Sequence, residues 1–274
     1  MRLKEIKNLL RKYKISLAKG LGQNFLIDEK VLKKIIEAAN LSENDIVLEV
    51  GSGIGNLTAE LAKRAKKVIA VEKDPNLVRI LNNELRIKNI KIIQGDILKI
   101  PYSRFQILDS YKVVANIPYY LTSPLIRKFL ELKNPPTEMI LMVQKEVAQR
   151  ICAKPTKMSI LAVSVQFYAK PEIISFVSKK FFWPSPKVDS AILRIAPLIN
   201  ADRRLINADL FFKIVRAGFS QPRKQLVNNL SKGLKMGKEK VKNWLLKKNI
   251  QPTQRAETLS VRDWILLTKS FKIK

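Results

Sequence analysis

From Leu41 onward, short apolar runs rich in β-branched residues alternate with stretches of helical periodicity. This alternation is typical of βαβ units built around a parallel sheet. The strand-like runs cover residues 46–50, 68–72, 90–94, 112–115, 139–143, 172–177 and 190–195. Helical periodicity covers residues 57–65, 75–85, 124–132 and 159–168. The pattern therefore predicts an α/β domain with a seven-stranded, mostly parallel sheet.

Beyond Pro197 the pattern changes, because no further β-rich run follows. Helical periodicity covers residues 210–219, 224–234, 239–248 and 261–271. We predict two domains: residues 1–198, with the sheet and a basic N-terminal segment, and residues 199–274, a smaller all-helical domain.

The segment of residues 1–20 is basic, and its charges leave no room for the apolar part of a signal peptide. No apolar run approaches the roughly 18 residues that a membrane span needs. We therefore expect a cytoplasmic protein that does not cross a membrane.

The charge balance is unusual. The 274 residues include 52 basic and 23 acidic side chains, a formal net charge of +29, and residues 200–274 alone hold 18 basic and 5 acidic ones. Such a surplus indicates a polyanionic partner, either nucleic acid or an anionic membrane face, and we expect nucleic acid. The alternative is a lysine-rich surface adapted to high temperature, but that adaptation normally raises glutamate together with lysine.

Two residue counts exclude whole classes of chemistry. The chain has no histidine, which rules out Ser-His-Asp triads, Cys-His pairs and histidine-ligated metals. Cys152 is the only cysteine, so neither an intrachain disulfide nor a cysteine-based zinc site can form. We expect no metal site, and a reducing compartment fits.

A glycine-rich loop follows the first strand, in the sequence EVGSGIGNLT of residues 49–58. Gly51, Gly53 and Gly55 allow the backbone to come close to a ligand and to aim N–H groups at it. Glu72, at the end of the next strand, can accept hydrogen bonds from two ribose hydroxyls, and Asp96 can accept one from the amino group of an adenine. NAD and S-adenosylmethionine both satisfy this arrangement, although G-x-G-x-G is not the usual dinucleotide spacing.

The end of the fourth strand favours S-adenosylmethionine and an aromatic amine as methyl acceptor. The side-chain carbonyl of Asn116 and the backbone carbonyl of Ile117 can hold the two N–H bonds of a planar amine while its nitrogen pyramidalises. Pro118 stiffens the turn, and Tyr119 can stack on the face of a base.

With these motifs, the chain resembles the family of ribosomal small-subunit RNA adenine dimethyltransferases, which dimethylate two adjacent adenosines near the 3′ end of that RNA. The resemblance covers nearly the whole length. It also rests on residues 21–26 (LGQNFL), 182–190 (FWPSPKVDS), 228–230 (NNL), 255–257 (RAE) and 259–260 (LS).

The resemblance implies a Rossmann-like, S-adenosylmethionine-dependent methyltransferase sheet with a helical domain after it. It implies cofactor contacts by Gln23, Asn24, Leu26, Gly51, Gly53, Gly55, Glu72, Asp96, Ile97 and Asn116. The implied catalytic residues are Asn116, Ile117, Pro118 and Tyr119, together with Phe182 from the aromatic cluster of residues 181–183. Arg223 and Lys224 are expected to contact RNA, and the partner is small-subunit rRNA in an assembling subunit, bound by a monomer.

Two positions depart from the family pattern, and two other functions stay open. Ser52 stands where the family often has proline, and Pro222 stands where a basic residue is usual. A large-subunit adenine methylase of the antibiotic-resistance type shares the Asn116–Tyr119 type of loop. A non-catalytic RNA-binding assembly or transcription factor could use the same fold, although it would not need an intact pocket.

Overall fold

The computed structural model describes residues 1–16, 22–107, 110–198 and 206–271. Its strands are β1 (Phe25–Leu26), β2 (Ile46–Val50), β3 (Lys67–Glu72), β4 (Ile90–Gln94), β5 (Tyr111–Asn116), β6 (Glu138–Gln144), β7 (Ala169–Val177), β8 (Phe182–Trp183) and β9 (Ser190–Pro197). Its α-helices are α1 (Leu3–Lys12), α2 (Glu29–Ala39), α3 (Asn56–Ala62), α4 (Pro75–Glu84), α5 (Thr122–Leu130), α6 (Lys145–Ile151), α7 (Ile160–Tyr168), α8 (Ala208–Gly218), α9 (Leu226–Leu234), α10 (Lys238–Leu246) and α11 (Val261–Ser270). Helices α1, α2 and α6 are additional to those the periodicity predicts. Among these helices, none has the length and apolar character of a membrane span.

The predicted seven-stranded sheet is confirmed, with the order β4-β3-β2-β5-β6-β9-β7. Strands β2 to β6 run parallel, and β9 lies antiparallel to β6. After β2 the chain builds outward through β3 and β4, and it then returns to the other side of β2 with β5. Loops at the carboxyl ends of β2 and β5 therefore diverge, which opens a crevice of the kind where α/β sheets bind ligands.

The described chain forms two compact units, Met1–Ala148 with Pro171–Pro197, and Gln149–Lys170 with Leu198–Lys274. The second unit includes α7, which the sequence pattern predicts as part of the sheet domain. Helix α7 buries apolar residues among the C-terminal helices, and the rings of Phe167 and Phe211 stack with centroids 4.1 Å apart. Residue 199, where we placed the boundary, lies outside the described residues.

In the first unit, α1 packs beside the ligand-facing end of the sheet. Ile6 and Leu10 of α1 are buried against Phe25, Ile54 and Leu77. The last three residues also line the cavity described below. Helix α1 therefore packs against residues that form one wall of that cavity.

Candidate active site

One cavity in the first unit, at the carboxyl ends of β2, β3, β4 and β5, collects most of the predicted site residues. Those that line it are Gln23, Asn24, Leu26, Gly51, Gly53, Glu72, Asp96, Ile97, Asn116, Ile117, Pro118, Tyr119 and Phe182. Gly55 is not part of the lining, and Arg223 and Lys224 belong to the second unit. Leu21, the first residue of the N-terminal motif, lies outside the described residues.

The glycine loop passes from β2 over the end of β3. The Gly51 N–H donates to the Val71 carbonyl at 2.8 Å. Gly51, Gly53 and Gly55 have φ values of 72°, 60° and 87°, in the left-handed region that favours glycine. A side chain on Gly53 would also approach the ring of Phe25 to 3.3 Å, so the loop keeps its backbone close to the cavity.

Gly55 has a structural position rather than a place in the cavity wall. It is the N-cap of α3. A Cβ at this position would collide with Leu85 and come within 3.0 Å of Leu81. Glycine here allows α3 and α4 to pack closely next to the glycine loop.

Glu72 is fixed against the glycine loop by backbone donors. Its Oε2 accepts the N–H of Gly53 at 2.8 Å, and its Oε1 accepts the N–H groups of Lys73 at 2.7 Å and Asp74 at 2.9 Å. Burial raises the pKa of Glu72, and the three N–H donors oppose that rise. The carboxylate is thus held in one orientation at the cavity wall, with lone pairs left for ligand hydroxyls.

Glu49 is a second buried carboxyl in this wall, and it is not among the site residues predicted from the sequence. It is 1% exposed, and no described residue is hydrogen-bonded to its Oε2. Burial raises the pKa of Glu49 to about 8, and the nearby negative charge of Glu72 adds to the rise. The signal in the sequence was a glutamate inside the otherwise apolar run of β2.

Asp96 lies after β4, paired with a lysine. Its Oδ2 is 3.1 Å from Nζ of Lys73, and its Oδ1 accepts the N–H of Leu98 at 3.0 Å. Burial acts to raise the pKa of Asp96, but the hydrogen bonds from Leu98 and Lys73 and the charge of Lys73 leave it below its ordinary value. The Lys128 ammonium of α5 donates to the carbonyl of Ile97 at 2.7 Å, which fixes the loop that carries both Asp96 and Ile97.

Asn116 and Tyr119 are both oriented by hydrogen bonds. The Asn116 Nδ2 donates to the backbone carbonyl of Asn24 at 3.2 Å, so its Oδ1 is the end available to a ligand amine. The hydroxyl of Tyr119 lies 2.8 Å from Oγ of the buried Ser190. Burial raises the pKa of Tyr119, which keeps the phenol neutral.

The pairing of β1 with β8 places Phe182 at the cavity. In this short antiparallel sheet Leu26 is opposite Phe182, and Phe25 is opposite Trp183. Of the aromatic cluster at residues 181–183, Phe182 lines the cavity, whereas Trp183 packs on the α1 side and Phe181 on the sheet core. The N-terminal motif and the 182–190 motif thus form one wall together.

Gln23 lines the cavity while its amide supports a neighbouring helix. Its Nε2 donates to Oδ2 of the buried Asp74 at 2.8 Å, and Asp74 is the N-cap of α4. Asn24 provides the carbonyl that orients Asn116. The motif therefore connects two cavity walls that are far apart in the sequence.

The donor set fits S-adenosylmethionine. Glu72 holds a fixed carboxylate at the cavity wall that can accept hydrogen bonds from hydroxyls, and the glycine loop keeps its backbone close to the cavity beside it. Three buried polar atoms at the cavity also have no partner in the described residues: Oε2 of Glu49, Oγ of Ser52 and Oδ1 of Asn56. Buried polar groups in native proteins are nearly always hydrogen-bonded, so these atoms favour a polar ligand. No group of metal-ligating side chains occurs in the part of the chain that the structure describes.

Arg223 and Lys224 lie in the turn before α9 and are exposed, as is Pro222. The turn is closed by a hydrogen bond from the Lys224 N–H to the Gln221 carbonyl at 3.0 Å. Both cationic side chains are therefore accessible to a polyanion.

The sheet order is that of a Rossmann-like methyltransferase, and so is a cavity at the carboxyl ends of the strands that is lined by the fixed carboxylate of Glu72 and by aromatic rings. A model of the family described as "Ribosomal RNA adenine dimethylase" matches residues 15–272. The chain belongs to this family, whose members depend on S-adenosylmethionine. Both the resemblance and the fold class expected from the sequence are thereby confirmed.

Individual relatives agree with this assignment. The chain is 45% identical over 267 residues to the ribosomal RNA small subunit methyltransferase A of Dehalococcoides mccartyi, which covers 96% of this chain and 91% of that protein. It is 43% identical over 274 residues to the protein of the same name from Anoxybacillus flavithermus, with 96% and 93% covered.

Two solved structures share the fold over most of the chain. A dimethyladenosine transferase from Plasmodium falciparum has a TM-score of 0.74 and 30% identity, covering 89% of this chain and 95% of that one. The 23S rRNA methyltransferase ErmE has a TM-score of 0.72 and 27% identity, with 89% and 98% covered.

Proposed function

We propose that this protein transfers methyl groups from S-adenosylmethionine to the exocyclic amino groups of two adjacent adenosines near the 3′ end of small-subunit rRNA. Two of its relatives are named small-subunit rRNA methyltransferases. The observation that carries the proposal is the position of Asn116, whose amide is fixed by Asn24 in the cavity that Glu72 also lines.

When bound, S-adenosylmethionine supplies an activated methyl group, so the chain needs no nucleophile of its own. The Asn116 Oδ1 and the Ile117 carbonyl accept the N–H bonds of the adenine amine, which favours its pyramidal form. An interaction of this kind strengthens as the amine reacts, and it therefore acts mainly on the rate. The proton lost from nitrogen goes to water, so the absence of histidine is no obstacle.

The target adenosine must leave its stack to reach the cavity, which costs a few kcal/mol. Tyr119 and Phe182 supply aromatic faces that offset this cost. The hydrogen bond between Tyr119 and Ser190 holds the Tyr119 ring in place before the base arrives.

The net positive charge of the protein complements the negative charge of the RNA phosphates. Residues 200–274 hold 18 basic and 5 acidic side chains, and Arg223 and Lys224 are exposed. We infer that the substrate is an assembling small subunit and that the protein acts on it as a monomer. We also infer a cytoplasmic location, because ribosomal subunits are assembled there.

The test is incubation of the protein with labelled S-adenosylmethionine and undermodified small subunits, followed by mapping of the label. Label on two adjacent adenosines near the 3′ end supports the proposal. Label on large-subunit RNA alone would instead assign the alternative of a large-subunit methylase, and ErmE is named as a 23S rRNA methyltransferase. RNA binding without transfer would assign the non-catalytic alternative.

A further inference from the structure

Phe176 is an exposed aromatic residue on the first unit that the proposed reaction leaves without a part. It belongs to β7, and 51% of its surface is exposed. The ammonium of Lys145 lies 5.1 Å from the centroid of its ring. A cation over an aromatic face holds the ring in position. The exposed part of the ring then offers a flat apolar surface beside a positive charge.

Short contacts connect this pair to the catalytic cavity. The Lys145 N–H donates to the carbonyl of Asp189 at 3.0 Å. The next residue, Ser190, is hydrogen-bonded to Tyr119, which lines the cavity. Because Lys145 follows β6 directly, the pair lies on the same carboxyl edge of the sheet as the cavity.

The surroundings of Phe176 are basic. Lys179 and Lys180 follow β7 in a 3₁₀ turn, and both are exposed. The Lys179 N–H donates to Oδ1 of Asp189 at 3.0 Å, which holds the turn next to Lys145. Lys187 is also exposed, two residues before Asp189.

We propose that Phe176 and Lys145 form a stacking platform for an unpaired nucleobase next to the target adenosine. This inference rests on the proposed function, in which two adjacent adenosines react. While one of them occupies the cavity, its neighbour has lost a stacking partner, and an aromatic face replaces that partner without a preference for sequence. Lys145 and Lys179 are then positioned for the flanking phosphates.

The small apolar area and the positive charge around Phe176 favour single-stranded RNA over a protein partner at this surface. One aromatic ring framed by lysines is too small and too polar for a stable protein interface, which buries roughly 800 Å² on each partner. An aromatic face bordered by cations suits single-stranded nucleic acid, where bases stack and phosphates pair with lysine.

The test measures methyl transfer to undermodified small subunits by Phe176→Ala, Phe176→Tyr and Lys145→Gln variants. Ile87→Ala is the matched control, because Ile87 is an apolar residue of the same unit and is 39% exposed. We expect Phe176→Ala to raise KM for the subunit about fivefold or more while affinity for S-adenosylmethionine stays unchanged. Phe176→Tyr should remain within about twofold of the unchanged protein, because it keeps a stacking face. Lys145→Gln should raise KM, and the control should leave it unchanged.

Three results would overturn the platform: an unchanged KM in Phe176→Ala, an equal loss in Phe176→Tyr, or a loss accompanied by a lower melting temperature and weaker cofactor binding. If the unchanged protein transfers no methyl group, the proposed function fails by itself. The platform is then decided by the RNA affinities of the same variants, where an unaltered Phe176→Ala affinity overturns it.

Discussion

The side-chain Nδ2 of Asn116 donates a hydrogen bond to the backbone carbonyl of Asn24 at 3.2 Å, across 92 positions of sequence. Because a carbonyl can only accept, this contact uses the Nδ2 of Asn116 and leaves its Oδ1 as the end that can accept from a ligand. The N-terminal motif therefore orients Asn116 as well as lining the cavity.

Replacing Asn116 tests this arrangement. Asn116→Ala should abolish methyl transfer, because its acceptor is needed chiefly as the adenine amine becomes pyramidal. Affinities for S-adenosylmethionine and for RNA should stay within about a few-fold of the unchanged protein. Single-turnover kinetics together with calorimetric titration measure both. Surviving transfer would remove the amine-holding part assigned to Asn116.

Glu72→Ala tests whether Glu72 accepts hydrogen bonds from the ribose of S-adenosylmethionine. Charge-assisted hydrogen bonds contribute roughly 1.5 to 3 kcal/mol, so affinity for S-adenosylmethionine should fall about tenfold or more. The same change leaves the N–H groups of Gly53, Lys73 and Asp74 without their acceptor, and the melting temperature should fall as well. Glu72→Gln keeps an acceptor without the charge and should be intermediate. Equal calorimetric affinities in all three proteins would place the ribose elsewhere.

Much of this fold follows from the sequence, since the seven sheet strands have the period and the β-branched residues that predict them. The pairing of β1 with β8 could not be predicted, because two-residue strands carry no period. Helix α7 belongs to the second unit, and not to the predicted sheet domain, because Phe167 on its apolar surface stacks on Phe211. The local sequence pattern does not encode this tertiary contact. The cavity motifs predicted most of the site, whereas the buried state of Glu49 depends on how β2 is covered.

Glu49 should make stability depend on pH. Its pKa is about 8 in the folded protein and near 4.5 when unfolded, so the folded state retains a proton that the unfolded chain releases. The contribution of Glu49 to the free energy of unfolding should therefore be highest below about pH 4.5 and should fall as the pH rises to 8. The slope of this fall is about 1.4 kcal/mol per pH unit at most. Urea unfolding at several pH values should show a flatter profile for Glu49→Gln, which stays neutral. Parallel profiles would contradict the raised pKa.

Gly55→Ala tests whether the third loop glycine is structural. A side chain there would need a positive φ and would collide with Leu85, so we expect a loss of stability of roughly 1 to 3 kcal/mol. Gly237→Ala is the control, because Gly237 is also a helix N-cap but has nothing within 4 Å of its added Cβ. Chemical denaturation measures both. A Gly55→Ala protein as stable as Gly237→Ala would mean that α4 shifts without cost.

The last prediction concerns the proposed RNA contacts of Arg223 and Lys224 in the second unit. Arg223 and Lys224 are exposed in the turn before α9, and if each contacts one phosphate, each releases about one counterion on binding. Arg223→Ala and Lys224→Ala should then each reduce the slope of log affinity against log salt by about 1, with similar effects on different RNA sequences. Lys240→Ala is the matched control, because Lys240 is also exposed but lies on α10, outside this turn. Substitutions suit this test better than removal of residues 200–274, because that truncation would uncover Phe167 and the rest of the apolar face of α7.

The measurement is affinity for small-subunit RNA between about 50 and 200 mM salt, a range over which phosphate contacts weaken steeply. Equal slopes in all four proteins would show that the turn is a solvated surface and that recognition depends on other residues.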